Sequence, residues 1–177
     1  MEIADLVLTV VERAFLAGAR RAILATIAPD GRPRLVPICF VLDPVRPVLY
    51  TPLDDKPKRV TDPRRLARVR DLVVDPRVSV LVDRWDEDWT GLAWLRCHGM
   101  ASLLEPQAPR GGEADDHRPA VTALRAKHAQ YAIHRLEARP LIRIAIERVT
   151  SWGAVDVPWP PPMAHCPSEA QIPHSSA

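Results

Sequence analysis

The sequence predicts a mainly β chain with flanking helices, folded as a six-stranded antiparallel Greek-key barrel. Three observations predict it. Short apolar and β-branched runs recur with tight turn sequences between them. The first three runs stand too close together to admit the dozen or more residues of a parallel crossover. The last run, Leu141 to Val149, alternates cleanly, with Ile142, Ile144 and Ile146 on one face and Arg143 and Glu147 on the other. A doubly wound α/β sheet would need a helix after nearly every strand, which this chain lacks.

The elements follow in order. Asp5 to Leu16 places Leu6, Val7, Val10, Val11, Ala14 and Phe15 at helical spacing, with Gly18 as a stop. Arg21 to Ala28 reads as the first strand and Pro33 to Leu42 as the second. Between them Gly31 can take positive φ while Asp30 bonds nearby amides. A second reversal, Asp43-Pro44-Val45-Arg46-Pro47, leads into a third strand, Val48 to Thr51. Asp62 as N-cap and Pro63 at the first position open a helix with Leu66, Val69 and Val73 on one face, and Asp75-Pro76 closes it. Val78 to Asp83 and Leu92 to Leu104 are the fourth and fifth strands, Gly99 marking a bulge or bend. Pro119 to Tyr131 reads as a helix, and Leu141 to Val149 as the sixth strand.

A chain of 177 residues fits one domain that buries roughly two-thirds of its unfolded surface. Residues 1–154 are assigned to that domain. Residues 155–177, with Pro158, Pro160, Pro161, Pro162, Pro167 and Pro173, are expected to form a Pro-rich flexible tail. No apolar stretch approaches the roughly 20 residues a membrane helix needs, and Glu2 and Asp5 do not suit a secretory leader. A cytoplasmic protein is expected. Cys39, Cys97 and Cys166 are odd in number and widely spaced, which suits reduced thiols rather than a disulfide framework. His98, His128 and His134 show no metal spacing, so no metal site is assigned. With 24 Lys and Arg against 22 Asp and Glu, the net charge is only +2. That balance is too even to imply a general polyanion binder, so any anion site must be local.

Several short motifs, taken in order, resemble a known family. They are Ala25-Thr26-Ile27, Asp30-Gly31-Arg32-Pro33, Val36-Pro37-Ile38, Tyr50-Thr51 and Asp75-Pro76-Arg77-Val78-Ser79. Together they resemble the pyridoxamine 5′-phosphate oxidase-like proteins, whose fold is the FMN-binding split barrel. Asp55-Lys56-Pro57-Lys58 and the run from Val82 to Trp89 are similar to the actinobacterial branch that uses the deazaflavin coenzyme F420. The resemblance covers roughly Ala22 to Leu104. It implies a homodimer with two cofactor sites at the subunit interface, each built from both chains. One departure stands out. Where the broader family supplies an Arg-Lys pair to the cofactor phosphate, Pro57 precedes Lys58, so the first member's role passes to Lys56 or Arg59.

The residues can support that chemistry. Tyr50 and Thr51 at a strand end, followed by Lys56, Lys58 and Arg59, supply charge and donors for a phosphate anchor, although a solvated loop would read the same way. Val36, Pro37 and Ile38 can bed a tricyclic ring, since Pro37 interrupts the ladder, and an ordinary edge strand would carry such a proline too. Trp85, in acidic surroundings, is the candidate wall of a substrate pocket, whereas Trp89 and Trp94 suit packing. No nucleophile with an identifiable base stands out, as expected where the cofactor carries the chemistry.

The sequence therefore points to a coenzyme F420-dependent oxidoreductase passing a hydride to a small organic molecule. The alternatives are an FMN enzyme of the same fold, or a non-catalytic cofactor- or nucleic-acid-binding protein. The stretch from Lys56 to Arg70 holds seven basic residues against one acid, Asp62. It lacks the interleaved aromatics that stack on bases, which disfavours nucleic acid.

Overall fold

The computed structural model of the chain describes residues 6–53, 62–106, 111 and 115–159. Among them, seven strands form one antiparallel sheet: β1 (Ala22–Ile27), β2 (Pro33–Ile38), β3 (Val41–Leu42), β4 (Val48–Pro52), β5 (Arg77–Arg84), β6 (Ala93–Leu104) and β7 (Leu141–Gly153). Their order is β2-β1-β5-β6-β7-β4-β3. Seven strands replace the expected six because the run from Pro33 to Leu42 is two strands, not one. β2 pairs with β1 and β3 with β4, at opposite edges of the sheet. Only Cys39 and Phe40 link them, and three residues of extended chain reach roughly 10 Å. The sheet must curl until its edges are neighbours, which makes it a split barrel.

Inside the curl lies a core that includes Leu24, Ile38, Phe40, Leu49, Val80, Leu95 and Ile144, all under 8% exposed. The Asp30-Gly31 reversal forms as the sequence predicts. Gly31 sits at φ +80°, Gly31 donates to the Ala28 carbonyl (2.8 Å), and Asp30 accepts from the Arg32 amide (3.2 Å). The predicted bulge also forms. Register shifts between His98 and Gly99, so Glu147 of β7 has no partner on β6. A Cβ at Gly99 would lie 2.0 Å from the Ala145 carbonyl oxygen, so only glycine allows this approach.

Three helices flank the sheet: α1 (Val10–Gly18), α2 (Ala67–Val74) and α3 (His117–Lys127). α1 starts later than expected because Thr9 and Glu12 form a reciprocal capping box there. Phe15 and Leu16 are its buried residues, while Val7 and Val10 are exposed. A 3-10 turn at Pro63–Arg65, capped by Asp62, precedes α2 and resets its phase. Val69 and Leu72 are therefore buried, and Val73, expected to face the core, is exposed. α3 covers a second core against β3, β4 and β7 through Val121, Leu124 and Leu141.

Two buried polar ties join these layers. Asp71 of α2 accepts from Thr26 Oγ1 of β1 (2.8 Å) and from Arg34 Nε of β2 (2.7 Å). Arg84, at the end of β5, donates to the carbonyls of Gly91, Ala154 and Val157, and its guanidinium lies over both Phe15 and Trp159. Trp159 Nε1 in turn donates to the Phe15 carbonyl (2.8 Å). Residues 155–159, the start of the segment read as a tail, thus pack on α1, and the rest of that segment lies outside the described residues. Cys97 is buried, and burial raises its thiol to about 12. No helix among the described residues is long and apolar enough to cross a membrane.

Replacing Asp71 with alanine leaves Thr26 and Arg34 without their acceptor, and a loss of about 2–3 kcal/mol is expected in urea unfolding. Thr26→Val, which removes one donor, should cost less.

Candidate functional site

Strand alternation sends one set of side chains into the barrel and the other onto the outer face. On β1, β2, β5, β6 and β7 the outer set is Ile23 and Ala25, Leu35 and Pro37, Ser79 and Leu81, Trp94, Arg96 and His98, and Arg148, placed side by side by the strand register. Among the described residues, no helix is packed over this part of the face. Two depressions that share Ala25 and Ser79 form a continuous groove there.

The first depression, about 480 Å³, is bedded by Ile23, Ala25, Leu35, Leu81 and Trp94, with Asp83 and Arg96 at its margin. Leu35 is 66% exposed and Leu81 37%, so apolar surface faces solvent here. The second, about 330 Å³, carries the charged and hydrogen-bonding side chains of Arg77, Ser79, His98, Glu147 and Arg148. The Gly99 bulge places Glu147 at this end of the groove.

Ser79 Oγ and His98 Nδ1 lie 2.9 Å apart on adjacent strands. His98 is half-buried and faces Arg148 directly across the β6–β7 register. Burial, then Arg148, then Arg96, lower its pKa, so the ring is neutral near pH 7. Arg77 is engaged by Asp75 (2.6 Å). Arg96 stacks on Trp94, and no carboxylate among the described residues pairs with Arg96 or Arg148.

A separate pocket, about 240 Å³, lies between the β3–β4 hairpin and α3 and contains a second polar cluster. Arg46 Nη2 donates to Asp43 (2.6 Å), Asp116 (2.8 Å) and the Tyr50 hydroxyl (3.0 Å), and Tyr50 donates to Asp116 (2.7 Å). Burial alone would raise the Asp43 carboxyl, but the Arg46 side chain and the amides of Arg46 and Val45 hold it at about 2. Here the donors and acceptors satisfy one another.

The residues singled out from the sequence fall in different places. Pro37 is on the outer face opposite Ile23, and Val36 and Ile38 turn inward. β2 is an edge strand, as its proline allows. The Tyr50 hydroxyl belongs to the hairpin cluster, and Thr51 is buried. Lys56, Lys58 and Arg59 lie outside the described residues. Trp85 is 70% exposed on the loop after β5, and the indole that lines the groove is Trp94. Sequence reading missed the Ser79–His98 pair, because nothing in the chain signals that residues nineteen apart share a register.

Residues 9–153 match the model of the family described as pyridoxamine 5′-phosphate oxidase. Solved structures with a similar fold include a conserved hypothetical protein, Rv2991, from Mycobacterium tuberculosis (TM-score 0.61, 23% identity, 85% of this chain and 88% of that one). An F420 reductase aligns with TM-score 0.55 at 17% identity over 78% of this chain and 94% of its own. The heme storage protein HutZ from Vibrio cholerae aligns with TM-score 0.56 at 17% identity, over 78% and 89% of the two chains. At these identities the likeness is one of fold.

The lowered His98 pKa has a signed consequence. The unfolded chain binds the proton more readily, so this contribution to stability is present above the ordinary imidazole pKa and is lost as pH falls through the lowered folded value. Imidazole NMR should place His98 below an ordinary histidine, and His98→Asn should flatten the acid-side decline in stability.

Proposed function

The chain belongs to the pyridoxamine 5′-phosphate oxidase-like family, which contains oxidoreductases and typically binds flavin, and from that membership we propose that it is an oxidoreductase using a flavin-type cofactor. Coenzyme F420 is the first choice and FMN the second, with a small organic molecule as hydride acceptor. The observation that carries this reading is the groove on the sheet's outer face. Its apolar bed suits a flat tricyclic ring, and its polar margin suits the ring's heteroatoms and anionic tail.

Ile23, Ala25, Leu35 and Leu81 would hold the ring from below, Pro37 would extend the bed along β2, and Trp94 would close one side. Lys56, Lys58 and Arg59 are the proposed phosphate anchor, and Trp85 the proposed wall of the substrate side. Bound there, the cofactor supplies the hydride, while the chain binds it, orients it and excludes water. A second copy of this chain is the proposed cover. Leu35, Leu81 and Met100 leave apolar surface exposed on the same face, and a homodimer would bury it. The nucleic-acid alternative is weakened because Arg64, one of the basic residues between Lys56 and Arg70, is tied to Glu105 (2.5 Å).

Titration of purified protein with coenzyme F420 and with FMN, followed by tryptophan fluorescence, tests the reading. Saturable F420 binding is expected, weakened by Lys58→Ala and abolished by Leu81→Glu, which places a charge in the bed. A preference for FMN would move the assignment to the second cofactor, and silence toward both would end it.

One observation favours a second reading, haem binding. His98 is neutral and half-buried, and if its Nδ1–H donates to Ser79, its Nε2 is left as a ligand held in one orientation. Added haem should then give a Soret band that His98→Ala shifts or removes. A band unchanged by that substitution would overturn this reading.

A further inference from the structure

We propose that Pro160 to Met163, which lie outside the described residues, form a strap along the exposed apolar stripe of α1, anchored by Trp159 and ending with Met163 against Val10 and Val11. The strap is separate from the groove on the sheet, and nothing in it depends on which cofactor that groove takes.

The stripe has no partner among the described residues. In α1, Val10, Val11, Ala14 and Gly18 share one face by helical spacing, while Phe15 and Leu16 are buried on the other side. Val10 is 84% exposed and Val11 39%, and Ala14 and Gly18 are exposed as well. Between this stripe and residues 155–159 lies a depression of about 470 Å³. Asp156 is the one charged residue among those that line it, so an uncharged occupant suits it.

The chain itself brings an occupant to this place. Trp159 stands at the Gly18 end, where a Cβ on Gly18 would lie 2.1 Å from the indole Cδ1, so the glycine leaves the slot that the ring fills. The indole donates to the Phe15 carbonyl (2.8 Å), its ring stands 5.0 Å from that of Phe15, and the Arg84 guanidinium lies over it at 5.6 Å. Arg84 also donates to the carbonyls of Ala154 and Val157. The residue from which the strap departs is thus held, and a segment starting there meets the stripe at a far higher effective concentration than a partner from solution.

The residues that follow suit the stripe. Pro160, Pro161 and Pro162 have no backbone N–H to leave unpaired against an apolar surface, and their fixed φ favours an extended polyproline course. Four steps of about 3.1 Å carry such a chain about 12 Å from Trp159 to Met163. Eight helical steps of about 1.5 Å, from Gly18 back to Val10, cover about the same length. Met163 therefore arrives at the two valines, where an unbranched thioether adapts to an irregular apolar gap. No charge lies between Trp159 and Met163, whereas Ile3, the apolar candidate at the N-terminus, stands between Glu2 and Asp5.

The test is methyl NMR of the full-length protein with labelled Met, Val and Ile methyls. Cross-peaks from the Met163 ε-methyl to Val10 and Val11 are expected. Val10→Asp, an exposed change that places an acid in the first turn of a helix, should abolish them and return Met163 to its random-coil shift. The Trp159 indole N–H resonance should stay in place in that variant, because the anchor does not need Val10. Trp159→Ala should also abolish the Met163 cross-peaks. Met163 at its random-coil shift in the parent, or cross-peaks that survive Val10→Asp or Trp159→Ala, would overturn the proposal. Cross-peaks found only between labelled and unlabelled chains in a mixed sample would assign the stripe to a second copy, and contacts from Ile3 in place of Met163 would assign it to the N-terminal residues; either result also overturns the strap.

Discussion

Everything in this fold depends on the two-residue link between β2 and β3. Those strands are opposite edges of the sheet, and Cys39 and Phe40 are all that joins them. A chain that short cannot reach across an open seven-stranded sheet, whose neighbouring strands stand about 4.8 Å apart. The sheet has to curl, and curling gives each strand an inside and an outside. Phe40, fully buried at the crossing, fills the interior it helps to enclose. Among the described residues the helices then divide the outside: α3 takes the β3–β4–β7 side, and none covers the outer face of β2, β1, β5 and β6. The groove is what remains uncovered.

Within that frame, two features of the strands shape the groove, one toward each end of β5 and β6. The bulge at Gly99 shifts β7 against β6 by one residue, which sets Arg148 opposite His98 and releases Glu147 toward the depression. Arg84 turns inward at the end of β5 and ties the β5–β6 connection to residues 154–159 and, through Phe15 and Trp159, to α1. The end of β5 and β6 away from the Ser79–His98 pair is therefore clamped from inside. A site on such strands holds its geometry better than one on a loop.

Local signals made most of the elements legible in the sequence, and non-local pairing hid the rest. Asp30-Gly31 fixes its turn by its own backbone preferences, and Ile142, Ile144 and Ile146 declare a strand by period alone. Gly99 announced a bulge because a glycine inside a strand usually means close backbone approach. The break at Cys39–Phe40 was hidden, since both flanking segments are apolar and extended and nothing local tells one strand from two. Val73 misled for a related reason: the 3-10 turn at Pro63–Arg65 resets the helical phase, and the apolar pattern alone does not show a turn of different pitch. Buried Asp71 and Arg84 read as ordinary surface charges until their partners, Thr26, Arg34 and distant carbonyls, are known. The apolar bed of the groove was legible only at Pro37, because which side of a strand faces out depends on the closure of the whole barrel.

The protein carries two clusters of charged and hydroxyl side chains, and the difference between them separates structure from function. In the hairpin cluster Asp43 and Asp116 face Arg46 and Arg143, and the charges balance. Arg46 reaches both carboxylates and the Tyr50 hydroxyl, so β3, β4 and α3 are locked together, and a ligand entering there would have to break bonds already made. On the outer face the charged groups are not tied to one another: Arg96 and Arg148 lie near His98, Asp83 and Glu147 line the same two depressions, and no ion pair joins these four among the described residues. A cluster whose charged groups are not tied to one another, beside an apolar bed, is open to a ligand in a way that the hairpin cluster is not.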